Sequence, residues 1–302
     1  MTRLATLLAV FALAFPPALA AQDKDPTHRT AVMSAFDPEI AVLAAHTTGK
    51  VTYDVNGTTF ITGRLMNKDV VLFLSGVSMV NAAMTTQMAL DRFTVDRIVF
   101  SGIAGGVDPR LDVGDVVVAD QWGQYLEVVM ARKVGNGFEP PPGPRRNDQT
   151  FANLGMMFPS GVAIARGAQE RERKFWFAAD PAMLAVARTV AGNVTLKRCI
   201  ADRCLAKPPR VIVGGNGVSG PAFVDNKELR EWAFSTFQAR VLDMETAAVG
   251  HVAYVNKTPF IAFRSLSDLA GGDPGQNQAR TFFQLASDNS AAVVLAFLNA
   301  MP

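Results

Sequence analysis

The chain has 302 residues, 49% of them hydrophobic and 19% charged, with a formal net charge of +2. That is enough apolar material for one large domain with a full core. No basic tract stands out, so no nucleic-acid partner is expected.

The chain opens on a short basic start ending at Arg3, an apolar run over residues 4–15 and a small-x-small signal at 18–20. The run is too short to span a bilayer. These features predict a cleaved signal peptide over 1–20, a mature start near Ala21 and an exported product, periplasmic or secreted. An uncleaved anchor and a buried first helix are the alternatives. No later run reads as a membrane helix, so no membrane partner is expected.

Residues 22–28 read as a polar, flexible arm. A buried strand is expected over 30–36, then a helix with Asp37 as N-cap and Pro38 at its first position. Glu39 falls in that helix's first turn. It is either a functional carboxylate at a strand's end or a complement to the helix dipole. Asn56-Gly57 marks the turn of a hairpin over 50–65. Strands are expected at 69–74 and 96–100, with a helix over 81–93 between them. A glycine-rich turn at 101–106 follows, where backbone N–H groups can approach a ligand closely. A further strand spans 116–119.

Residues 122–180 read as an irregular insert, a solvated surface excursion with Pro140 and its neighbouring prolines, Arg145, Arg146 and a basic cluster at 171–174. A helix over 181–190 comes next. Cys199 and Cys204 are the only cysteines, and their spacing fits no zinc site. In an oxidising compartment a local disulfide is the simplest reading, with two free thiols as the alternative. A strand at 210–213 precedes a helix capped by Asp225-Asn226 and running to Phe237. Then come a strand at 239–244, a helix at 246–255, a strand at 259–264 and a last helix at 276–298. Strands alternate with helices, which argues for one α/β domain with a twisted central sheet flanked by helices. One strand delivers Asp243, Met244 and Glu245, and another delivers Ser267 and Asp268. Open α/β sheets bind ligands at such carboxyl ends. His28, His46 and His251 stand apart, so no metal and no organic cofactor are expected.

Six stretches in order carry a resemblance: SAFDPEI (34–40), SGV (75–77), GIAGGVDPRLDVGDVVVAD (102–120), SGPAFVDN (219–226), LDMETAAVGHVA (242–253) and PFIAFRSLSD (259–268). They resemble the nucleoside phosphorylase/nucleosidase superfamily, in its methylthioadenosine/S-adenosylhomocysteine nucleosidase branch. The exported start, the run over 76–87 and Trp122 are also similar to plant bark and vegetative storage proteins of that superfamily.

The resemblance implies a single-domain, three-layer α/β/α sandwich with a mixed, partly barrel-like sheet. It implies cleavage of a purine N-glycosidic bond in a small nucleoside. Asp268 would be the general acid toward purine N7, and Glu39 would activate water. Glu245 and Met244 would hold the ribose, Phe223 would stack on the base, and Val224 would read its edge by its backbone. Ser267 would orient Asp268, while Val77, Ala104 and Gly105 would line the pocket. It also implies a homodimer or higher homo-oligomer. No arginine stands in 34–40 or 75–83 to clamp phosphate, which favours water as nucleophile. Arg145, Arg146 and Arg171 keep phosphorolysis as an alternative, and a nucleoside-binding or storage protein is the third. Ile103 replaces a small polar residue common in the nucleosidases.

Overall fold

A computed structural model describes residues 24–142 and 151–302. The leader expected over 1–20, the start at Ala21, and Arg145 and Arg146 lie outside these residues. The main sheet has twelve strands. They are β1 (Asp25–Ser34), β2 (Thr48–Val55), β3 (Thr58–Leu65), β4 (Lys68–Leu74), β5 (Phe93–Gly106), β6 (Val116–Val118), β7 (Gln121–Gln124), β8 (Trp176–Ala178), β9 (Val211–Val213), β10 (Asn216–Ser219), β11 (Ala239–Asp243) and β12 (Phe260–Asp268). The helices are α1 (Asp37–His46), α2 (Met79–Arg92), α3 (Pro181–Ala191), α4 (Lys227–Phe237), α5 (Thr246–Val255) and α6 (Ala279–Ala300).

The main path runs β8-β7-β10-β11-β5-β1-β4-β3-β2, with β12 joining β5 to β6 and β6 joining β9. Pairing is mixed. β1 lies parallel to β4 and β5, β12 parallel to β5, and β11 antiparallel to β5. Helices cover both faces. One core contains Ala82 and Ala89 of α2 with Ala247 and Val249 of α5. The other contains Leu43 of α1, Leu184 of α3 and Phe297 of α6. This is the expected three-layer sandwich.

Several expectations are corrected. The polar arm is ordered from Asp25, where β1 already pairs with β5. The helix at 37 is capped by Phe36 rather than by Asp37, and no side chain caps it. The glycine-rich stretch 101–106 is strand, not turn: β5 runs through Gly106 and pairs with β12 as far as Gly105. Its glycines serve close packing. A Cβ on Gly102 would stand 2.0 Å from Arg264 Nη1 and 2.7 Å from Glu39 Oε1. Residues 265–268 also belong to a strand, and every residue of β12 is buried.

The insert is more regular than expected. Its first and last strands, β7 and β8, pair with each other in the main sheet, and Trp122 is fully buried. The described residues between them form two-stranded ribbons. Cys199 and Cys204 face each other across a short hairpin and form a disulfide. Contrary to the expectation that no later run suits a membrane helix, α6 is long and apolar enough to cross a membrane, but 61% of its apolar window is buried inside the domain.

Candidate active site

The carboxyl ends of β1, β5, β11 and β12 converge on one cavity of about 280 Å³. All ten pocket residues singled out from the sequence line it: Glu39, Val77, Ala104, Gly105, Phe223, Val224, Met244, Glu245, Ser267 and Asp268. Phe36, Ile103, Asp243 and Phe283 also line it. Phe223 is 61% exposed, so its ring offers an uncovered face to anything entering.

Glu39 does more than complement a helix dipole. Its side chain turns back over the α1 start, where Oε2 accepts from Ala35 N at 2.6 Å and Oε1 from Ile103 N at 2.7 Å. Burial pushes its pKa up, partly offset by Arg264 and these N–H donors.

Glu245 sits at the mouth of α5. Its Oε1 accepts from Ser78 N at 2.8 Å. Burial pushes this carboxyl up to about 7, against the attraction of Arg264 and with the repulsion of Asp243 and Glu39. Asp268 ends β12, and burial raises its pKa as well. Its Oδ1 accepts from Ala270 N at 2.8 Å. A backbone N–H can only donate, so the proton of a neutral Asp268 belongs on Oδ2. There the partner is Ser267 Oγ at 2.8 Å, which also lies 3.4 Å from Ala104 O. A hydroxyl can turn between these acceptors as the acid gains or loses its proton.

No role for Arg264 is expected from the sequence, although it lies within the stretch 259–268. It is fully buried on β12 and faces three carboxylates. Nε lies 2.8 Å from Asp243 Oδ2, Nη1 3.9 Å from Glu39 Oε1, and Nη2 3.5 Å from Glu245 Oε2. Nε also donates to Thr246 Oγ1 at 2.9 Å, and the guanidinium rests 3.9 Å from the centre of the Phe100 ring. Asp243 is held in turn by the hydroxyls of Ser219 and Thr246. The sequence holds a signal: a charged residue directly after the apolar run 260–263 of a buried strand must be paired. One cation thus faces three acidic side chains along this wall of the cavity. Arg171 is exposed on the insert and does not line the cavity.

The family model described as the phosphorylase superfamily matches residues 29–299. A 5'-methylthioadenosine/S-adenosylhomocysteine nucleosidase of Marinomonas sp. strain MWYL1 is 31% identical over 88% of this chain and 96% of its own. The corresponding nucleosidase of Tolumonas auensis is 28% identical over 89% and 98%. The crystal structure of the nucleosidase from Colwellia psychrerythraea 34H, in complex with adenine, aligns with a TM-score of 0.67 at 26% identity. That alignment covers 92% of this chain and 97% of the other.

Proposed function

The chain belongs to the phosphorylase superfamily, and from that premise we propose that it is an N-glycosyl hydrolase. Its substrate is a purine nucleoside of the methylthioadenosine/S-adenosylhomocysteine type. The observation that carries this reading is the pairing of two carboxyl groups of different kind on one cavity. Glu39 has both oxygens seated on backbone N–H groups, while Asp268 has one oxygen whose partner is the Ser267 hydroxyl, which can accept as well as donate and so lets that oxygen hold a proton. The nucleosidase relatives support the choice of substrate.

In this mechanism Glu39 takes a proton from water, and the water oxygen attacks the anomeric carbon. The N-glycosidic bond breaks, its electron pair passes to the purine, and Asp268 gives its Oδ2 proton to N7. The products are free base and free sugar. Such cleavage passes through an oxocarbenium-like state and uses an acid and a base on the two sides of the bond. Glu245 accepts hydrogen bonds from the ribose hydroxyls and, once ionised, stabilises the positive sugar. Raised pKa values serve both roles: a stronger base at Glu39, and an acid still protonated near neutrality at Asp268.

Water is the nucleophile in this reading because no arginine lines the cavity among the described residues, and Arg264 behind it already faces three carboxylates. The test is incubation with methylthioadenosine with and without phosphate. Free base and free sugar without phosphate would support hydrolysis. Strict phosphate dependence would replace it by phosphorolysis, and absence of base release would leave a binding protein.

The product of the gene is further proposed to be exported, on the strength of the leader features over 1–20. Amino-terminal sequencing of protein from the producing cells tests this, and an intact Met1 would refute it. Self-association into a dimer or higher oligomer is proposed as well. Val80 and Met84 stand 79% and 54% exposed on α2, the helix that begins two residues after pocket-lining Val77. A monomer by sedimentation at micromolar concentration would refute it.

A further inference from the structure

The side chain of Asn277 touches three segments that together build one side of the pocket. Its Oδ1 accepts from Ala279 N at 2.9 Å. Its Nδ2 lies 3.2 Å from Asp225 Oδ1 and 3.5 Å from Asp268 Oδ1. The amide's orientation follows from these partners. Ala279 N can only donate, so it must face the amide oxygen, and the nitrogen then faces the carboxylates. An amide nitrogen carries two N–H groups, one for each carboxylate.

Each contact leads to a different wall. Asp225 ends the loop that carries Phe223 and Val224. Ala279 begins α6, which carries Phe283. Asp268 ends β12. The segments are already in backbone contact: Asn226 N donates to Ala270 O at 3.2 Å. Gly271 takes φ +93°, and a Cβ there would stand 2.4 Å from Asn226 N. Asn277 is the side chain that spans this junction and reaches Asp268.

We propose that Asn277 is a positioning residue: it presents an obligate donor to Oδ1 of Asp268 and ties the acid to the Phe223 loop and to the start of α6. The proposal rests on Asp268 being the acid. A second obligate donor on Oδ1 reinforces Ala270 N and keeps the transferable proton on Oδ2. The 3.5 Å separation is long for a hydrogen bond, and such contacts shorten when substrate closes a site.

The groups acting on Asp268 set the sign of the test. Burial and Asp273 favour its neutral form, whereas Ala270 N, Ser267 and Asn277 favour the carboxylate. Arg230 of α4 faces Asp273, and Asp225 lies behind Asn277. The acid works protonated, so activity is lost as pH rises through its pKa. Removing a donor to the carboxylate moves that loss to higher pH.

The experiment is kcat/KM against pH for adenine release from methylthioadenosine, in wild type, Asn277→Ala, Asn277→Asp, Asn277→Ala with Asp225→Ala, and Asp268→Asn. Asn277→Ala should lower kcat/KM about tenfold and move the basic limb up by about half a unit to one unit. Asn277→Asp, which sets a carboxylate between two others, should move the limb further and keeps the test available if the alanine variant folds poorly. Adding Asp225→Ala to Asn277→Ala should cost nothing more, because the link is already cut. Wild-type kcat/KM and an unmoved limb in both position-277 variants, beside an inactive Asp268→Asn, would overturn the proposal alone. So would a lower kcat/KM with an unmoved limb, which is the mark of mere packing. Wild-type turnover by Asp268→Asn would remove the acid and this inference together.

Discussion

Arg264 Nε lies 2.8 Å from Asp243 Oδ2, with both side chains closed to solvent and Asp243 set in the cavity wall. The same guanidinium answers Glu39 and Glu245, so its loss leaves three buried carboxylates without their cation. Breaking a buried pair from one side costs about 3–5 kcal/mol. Arg264→Met should therefore lower the denaturation free energy by about that much. A urea titration within about 1 kcal/mol of wild type would show that the carboxylates do not depend on it.

Asp268→Asn keeps the shape and the acceptor on Oδ1 but removes the transferable proton. Turnover should fall by about 10²–10⁴-fold, the usual worth of a general acid. Binding of adenine, followed by calorimetry, should stay within a few-fold of wild type. Equal losses in binding and turnover would assign Asp268 to recognition instead.

Glu245 couples stability to pH. Its carboxyl titrates near 7 in the fold against 4.5 for the unperturbed group. A raised acid pKa means that the folded state holds a proton the unfolded state has released. Its contribution to stability is present below about pH 4.5 and is lost as pH rises to about 7, a change on the order of 3 kcal/mol. Glu245→Gln should flatten that slope in melts at pH 5 and pH 8. Activity runs the other way, since an ionised Glu245 stabilises the sugar cation. Turnover should rise with pH on the acid side, and melts of equal slope in both proteins would contradict this account.

The Cys199–Cys204 hairpin closes a very short loop. In the chain-entropy description such a cross-link contributes about 2 kcal/mol. Replacing both cysteines by serine should lower the melting temperature while leaving kcat/KM within about twofold, because neither cysteine lines the cavity. A large loss of kcat/KM in the folded variant would assign the hairpin a part in shaping the site.

Much of this architecture is legible in the sequence because it rests on local rules. Hydrophobic runs bounded by turn residues marked β1, β4, β11 and the central helices. Asn56-Gly57 marks the hairpin, and Asp225-Asn226 marks the start of α4, where the structure makes Asn226 the cap, its side chain accepting from Leu229 N at 2.8 Å. The pocket residues were reachable because six ordered motifs carry them to strand ends. Strand ends that depend on partners were not legible. Of residues 102–106 only Ile103 favours a strand by itself, and the glycines around it are strand because β12 and β11 lie against them. Trp122 entered the sheet rather than a surface loop for the same reason, with β8 and β10 as its neighbours.

The sequence by itself determined the alternation of strands and helices, the acidic side chains at their ends and the closeness of two cysteines five residues apart. Those are short-range properties, set by side-chain period, capping and chain connectivity. That the cysteines form a disulfide is shown by the structure. Only the tertiary structure decided that Arg264 stands among Glu39, Asp243 and Glu245, and that Asn277 reaches Asp268. Burial and the approach of charges from distant segments set the protonation of a carboxyl, and those depend on how the chain packs rather than on what precedes or follows the residue.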